Sequence, residues 1–146
     1  MLAEQLVPPV IARLAARVDF GGRIDTAADF AAVLRSGQIQ PILRAFVLPA
    51  ALIGGAVTAL SGGFVQNVER GVSVMITLPA LDGTGVAGGN RLEQLVLDTI
   101  AALAGWGPDD TPGVFALQQG RLLSVKDGAM IYQIDFTVLD QLRISP

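Results

Sequence analysis

The fold is decided by a stretch near the end of the chain, which reads Met130-Ile131-Tyr132-Gln133-Ile134-Asp135-Phe136-Thr137-Val138. Every second side chain is apolar, and the residues between them include Gln133, Asp135 and Thr137. A period of two is typical of a β-strand with one buried face. We therefore predict a strand here. The Asp127-Gly128 pair just before it predicts a two-residue hairpin turn.

Two apolar runs and a helix precede this strand. The runs, at residues 114–117 and 122–125, predict two more strands, so that the last third ends in a three-strand meander. Before them, an apolar stripe at helical spacing predicts a helix over residues 92–103. Asn90 and Glu93 have the spacing of a capping box at its start. The sequence Gly105-Trp106-Gly107-Pro108 stops it, and Trp106 is expected to fill the gap between helix and sheet.

The first half of the chain follows the same mixed pattern. A helix is predicted from Pro8, and a shorter one is capped by Asp25 or Thr26 and closed by Gly37. A strand is predicted over residues 42–48, ending at Pro49, and another over 72–78. Gly71 separates that strand from the apolar run 64–68 and is expected to mark a bulge or turn.

These patterns predict one domain over residues 1–146, since no linker or internal repeat divides the chain. The fold class is α+β. We expect a mostly antiparallel sheet of four to five strands with two or three helices packed on one face.

The composition predicts a protein whose apolar surface is buried against partner proteins. Of the 146 residues, 51% are hydrophobic and only 16% are charged, whereas roughly 25% charged is typical of soluble domains. Burial against other subunits is the simplest way to cover so much apolar surface. The net charge is -3 and the arginines are dispersed, so neither sequence-specific nucleic-acid binding nor a polybasic membrane anchor is expected.

The chain has no cysteine and no histidine. Disulfides, cysteine nucleophiles, Cys/His zinc sites and Ser-His-Asp triads are therefore excluded. We expect no enzyme, no catalytic residue, no cofactor and no metal site. The first residues lack the features of a signal peptide, which predicts synthesis in the cytosol.

One glycine-rich segment is a candidate nucleotide-binding site. Residues 83–88 match the G-x-G-x-x-G pattern between a strand and a helix. However, the expected helix start is only at Asn90, and the acidic residues about twenty positions further on, Asp109 and Asp110, fall in a turn. We interpret residues 82–89 as a loop that becomes ordered against a partner. A small-ligand or nucleotide site in this loop is the alternative from another functional class.

Residues 45–68 contain no charge. Pro49, Gly54 and Gly55 interrupt this stretch, so a membrane helix is not expected. An apolar loop after Pro49 instead predicts a protein partner. Adjacent carboxylates in a Pro/Gly turn, such as Asp109 and Asp110, are typical of solvated turn residues rather than of a metal or catalytic pair.

Two segments of the sequence resemble the tail-terminator (tail-completion) proteins of long-tailed bacteriophages. The resemblance is carried by Leu103-Ala-Gly-Trp106-Gly-Pro108 and Gly128-Ala-Met-Ile-Tyr132-Gln-Ile-Asp-Phe136. It is best over residues 91–143. A weaker stretch runs from Ala28-Asp29-Phe30 through Pro41 to Ala45-Phe46-Val47.

The resemblance implies a structural virion protein with no enzymatic activity. Such proteins form rings, typically homohexamers, at the head-proximal end of the tail tube. There they end tube polymerisation and provide the docking surface for the head connector. The implied partners are further copies of the chain, the tail tube protein and the head-tail connector protein. The implied location is the virion tail, after assembly in the host cytoplasm. Another head-tail connector or tail tube component is the alternative within the same class.

An assembly interface is expected where the chain is apolar and uncharged or rich in turn residues. Its predicted members are Leu52, Ile53, Val57, Leu60, Asp82, Gly83, Gly85, Val86, Gly88, Asp109 and Asp110.

Overall fold

The computed structural model describes residues 3–37, 40–59, 61–80, 86–126 and 128–145, with the backbone alone described at 3–4 and 86–89. A 3-10 turn at Ala3–Leu6 leads into the regular elements. These are α1 (Val7–Arg17), β1 (Ile24–Thr26), α2 (Ala27–Ser36), β2 (Arg44–Ala59), β3 (Phe64–Pro79), α3 (Val86–Leu103), β4 (Phe115–Lys126) and β5 (Ala129–Ile144).

The five strands form one sheet in the order β1-β2-β3-β5-β4. Every neighbouring pair is antiparallel except β1 and β2, which are parallel. The predicted α+β class with a mostly antiparallel sheet is confirmed. The register Lys126↔Ala129 leaves a two-residue turn, and Gly128 has a φ of 76° there. Asp127 lies outside the described residues.

The main hydrophobic core lies between the sheet and the pair α1 and α3. Val10 and Leu14 of α1, with Leu103 of α3, are fully buried against alternate residues of β3 and β5 such as Ile76 and Phe136. These helices are the two predicted on one face. We call this side of the sheet the α1/α3 face.

The third helix, α2, lies on the opposite face. It packs Phe30 and Val33 onto a smaller cluster of Phe46, Met75 and Ile131. Its start is set as predicted by Thr26, whose backbone N–H donates to the carboxylate of Asp29 at 3.0 Å in a capping box. We call this side the α2 face.

The prediction that Pro49 ends the second strand is wrong. β2 continues through Pro49 to Ala59, and it does so by a bulge between Pro49 and Ala51. A bulge is a position at which a strand tolerates a proline. Gly71 does not interrupt β3 either, because the bulge lies directly opposite it in β2, at the pair Ala51↔Gly71. The expected loop over residues 50–59 is therefore strand.

The predicted three-strand meander is also wrong, because residues 115–117 and 122–125 belong to one strand. β4 runs without a break and carries register shifts between Leu117 and Gln119 and between Leu122 and Ser124. Each extra residue shifts the alternation of side chains, which hides the continuity of the strand in the sequence.

The helix predicted over residues 92–103 begins earlier, at Val86. Asn90 is therefore inside α3, and its predicted role in a capping box is wrong. Its end at Leu103 agrees with the prediction. None of the described helices is both long and apolar enough to cross a membrane.

Candidate assembly surfaces

Three strands project beyond both hydrophobic clusters. They are residues 50–59 of β2, 64–70 of β3 and 139–144 of β5, which remain paired to one another. We call this three-stranded extension the arm. No helix residue of either core cluster packs on it in the described part of the chain. Residues 52–58 of the arm are exposed, whereas Val68 and Arg70 near its base are buried.

The arm exposes large apolar side chains on both faces. The predicted interface residues Leu52, Ile53 and Val57 are between 43% and 50% exposed. Leu52 and Val57 pair with Arg70 and Gln66, which places them on the α1/α3 face, whereas Ile53 pairs with Glu69 on the α2 face. We find these residues on a strand instead of the loop that the sequence predicted. Leu60 lies outside the described residues.

A buried ion pair lies at the base of the arm. Nη2 of Arg70 is 2.8 Å from Oδ2 of Asp140, and the two side chains are 6% and 12% exposed. Nη2 also donates to Oγ1 of Thr111 at 3.4 Å. Nε of Arg70 is buried and has no hydrogen-bond partner among the described residues. The pair fixes β3 to β5 where the arm leaves the core.

The turn between α3 and β4 packs closely on the same base. A Cβ atom on Gly113 would lie 2.6 Å from the backbone oxygen of Leu139, so only glycine allows this approach. The predicted interface residues Asp109 and Asp110 are exposed in this turn. Thr111 and Gly113 of the same turn contact the base of the arm, which the sequence did not predict. Trp106 stacks on Phe115 at 6.0 Å and packs against the core as expected.

The remaining predicted interface residues belong to the glycine-rich segment. Asp82, Gly83 and Gly85 lie outside the described residues, and Val86 and Gly88 are in the first turn of α3. The expected loop is therefore helix from Val86 onward. This start brings the helix inside the G-x-G-x-x-G pattern, contrary to our reason for setting the pattern aside.

Sheet topology nevertheless argues against a dinucleotide site. Such a site needs the strand before the glycines and the strand after the helix to be parallel neighbours. Here β5 separates β3 from β4, and the one parallel pair is β1 and β2. Among the described residues, no cluster of acidic side chains is arranged to hold a metal ion.

A groove beneath α2 has a volume of about 290 Å³. Its charged groups are engaged locally. Nε of Arg44 donates to Oδ2 of Asp25 at 2.6 Å, and Asp29 caps α2. The hydrogen bonds from the backbone and side chain of Thr26 hold the pKa of Asp29 below its ordinary value. The charged groups that line the groove, Asp29 and Arg44, are therefore both already engaged in contacts within the subunit.

A second open surface, which the sequence did not indicate, is the outer edge of β4. Leu117, Leu122, Leu123 and Val125 are 44% to 58% exposed. At the start of the strand, the backbone of Phe115 is paired with Gly105 and Trp106. Among the described residues, no strand pairs with the outer edge of residues 116–126. The apolar runs at residues 114–117 and 122–125 were the available signal, but they predict two separate strands rather than one open edge.

A polar cluster on the α2 face joins β3, β5 and β4. Asp135 accepts hydrogen bonds from Oγ of Ser73 at 2.5 Å, Nε2 of Gln133 at 2.8 Å and Nε2 of Gln119 at 3.0 Å. Burial raises the pKa of Asp135, but these hydrogen bonds and the nearby Arg121 charge outweigh it and hold the pKa below its ordinary value. The cluster has the character of a structural brace, because every group in it is paired.

The sequence matches the family described as phage tail terminator protein over residues 2–145. The chain belongs to the phage tail terminator family. No curated protein matches the sequence. Membership confirms the resemblance seen in the sequence and gives a structural role in phage tail completion, in the virion tail.

Proposed function

We propose that this protein forms a ring at the head-proximal end of the phage tail tube, ends tube polymerisation there and provides the docking surface for the head connector. Membership of the tail terminator family over residues 2–145 carries this proposal. Further copies of the chain, the tube protein and the connector protein are its proposed partners. A homohexamer is the proposed stoichiometry.

The surface of the subunit supports the proposal. A ring needs two different patches on each subunit, one for each neighbour. The arm and the outer edge of β4 lie at different places on the sheet, and both expose large apolar side chains. Such side chains are unfavourable in water and favour a partner. The predicted interface residues on the arm and in the 109–110 turn belong to these proposed contacts.

Self-association is the first test. Light scattering and negative-stain electron microscopy of the purified protein, alone and with tube protein, are expected to show a ring. Some rings close only on their template, so the sample with tube protein is the decisive one. A particle that stays monomeric at high concentration in both samples contradicts the proposal.

Tail length is the second test. A phage that lacks this gene is expected to make tubes of uncontrolled length that do not join heads. Supplying the protein in trans should restore tails of uniform length and infectious particles. Uniform, joined tails in the absence of the protein would assign termination to another component.

A further inference from the structure

Two strand edges of the same subunit are open and similar in length. On β2, strand β1 covers only residues 45–47, which leaves the edge from 48 to 59 free in the described part of the chain. On β4, residues 116–126 are free. Open edges promote pairing with another chain unless charges or prolines protect them. Between residues 50 and 59, β2 has neither.

The direction of the strands allows the two edges to meet. β2 is antiparallel to β3, β3 to β5, and β5 to β4. It follows that β2 and β4 run in opposite directions within one subunit. If two copies are placed side by side with the same orientation, β2 of one lies antiparallel to β4 of the next.

From this we propose that β2 of one subunit pairs with β4 of its neighbour, and that this contact closes the ring. The inference rests on the proposed function, because it names the two edges that the ring uses. Its occupant is a second copy of this chain.

The register follows from the exposed apolar residues. Leu52 and Val57 lie on the α1/α3 face of β2, and Leu117 and Leu122, paired with Phe136 and Tyr132, lie on the same face of β4. An antiparallel alignment of Leu52 with Leu122 also brings Val57 opposite Leu117.

Irregularities in the two strands agree with this alignment. β2 has a register shift between Gly54 and Val57, and β4 has one between Leu117 and Gln119. The strands therefore carry one extra residue each within the same five-residue interval, so both apolar pairs stay on one face. On the α2 face the same alignment pairs Ala51 with Leu123. Directly opposed apolar side chains stabilise a strand pair.

This alignment also produces a stagger. Within one subunit, Leu52 of β2 pairs with Arg70 of β3. Leu122 of β4 pairs with Tyr132 of β5, which in turn pairs with Ile76 of β3. Each subunit is thus displaced along the strands by about six residues, or roughly 20 Å. Four long strands per subunit span roughly 19 Å across the sheet. The resulting strand tilt is about 45°, close to the ~35–45° of closed barrels.

Engineered cysteines test the pairing, because the chain has none of its own. The double variant Leu52→Cys/Leu122→Cys, assembled with tube protein and then oxidised or treated with a short thiol crosslinker, should give a ladder of covalent multimers. Val57→Cys/Leu117→Cys should do the same. Each single variant should stay monomeric on a denaturing gel. The control Leu52→Cys/Leu97→Cys uses a leucine exposed on α3 and should give no ladder.

The outcomes separate this inference from the proposed function. Light scattering before crosslinking scores ring formation. If the rings form but neither double variant gives a ladder, or if Leu52→Cys crosslinks to itself, the pairing is wrong and the ring stands. If wild-type protein stays monomeric with tube protein, both fail. A blocking charge gives an independent result: Leu52→Lys should abolish rings, Leu97→Lys should keep them, and rings from Leu52→Lys at wild-type yield would also overturn the pairing.

Discussion

Arg70 and Asp140 form a buried ion pair of 2.8 Å at the point where the arm leaves the core. Arg70 belongs to β3 and Asp140 to β5. Arg70 pairs with Val138, which is two residues from Asp140, and Asp140 pairs with Val68, which is two residues from Arg70. The two side chains therefore lie on the same face of the sheet. The arm is therefore attached to the body by charge as well as by backbone pairing.

Asp140→Ala should be strongly destabilising. It leaves the Arg70 guanidinium buried without a counter-charge, and removal of one partner of such a pair typically costs about 3–5 kcal/mol. The double variant Arg70→Met/Asp140→Leu should lose much less, because no buried charge remains. Urea unfolding followed by circular dichroism measures both. An equal loss in the single and double variants would contradict this account.

Gly113→Ala should reduce the free energy of unfolding by about 1–3 kcal/mol, because the added Cβ would lie against the backbone oxygen of Leu139 and force a shift. Thermal and urea unfolding check the value. Val114→Ala is the matched control in the next position, since Val114 is exposed, and it should change stability by less than ~0.5 kcal/mol. If both variants unfold alike, the close approach carries no cost.

Asp135 should contribute to acid sensitivity. Its pKa is held below the ordinary value in the folded protein, so its carboxylate stabilises the fold above the unfolded-state pKa of about 4. That contribution is lost as the pH falls through the lower, folded-state pKa. Asp135→Asn should therefore be less stable than wild type at pH 7, and the gap should narrow below about pH 4. A gap that is constant with pH would exclude this role.

Asp109→Asn/Asp110→Asn should leave stability within ~0.5 kcal/mol of wild type, because both side chains are exposed in a turn. Unfolding curves test this. Under the proposed assembly role, the yield of rings in light scattering should fall while the fold is retained. Loss of an enzymatic turnover on this change would instead contradict a purely structural protein.

Sequence reasoning succeeded where local patterns are regular. The alternation in β5, the capping of α2 at Thr26, and the closing Gly37 each depend on neighbouring residues alone. The fold class followed from these elements. The order of the strands did not, because pairing between β3 and β5 joins residues that are far apart in the chain.

The errors share one physical origin. Bulges at Pro49 in β2 and after Leu117 and Leu122 in β4 interrupt a two-residue period without ending the strand. The sequence therefore predicts the end of a strand at Pro49, and two separate strands at the runs 114–117 and 122–125. Leu52, Ile53 and Val57 were consequently expected in a loop, whereas they lie exposed on β2. The open edge of β4 was missed altogether.

The absence of charge over residues 45–68 has a consequence for the conditions under which this surface associates. Screening by salt weakens contacts between charged groups, whereas sulfate and phosphate strengthen the burial of apolar surface. The affinity of a contact made by β2 should therefore be similar at high and low sodium chloride concentrations, and should increase in ammonium sulfate. Ionic strength is thus a poor means of taking such a contact apart, and mild denaturant a good one.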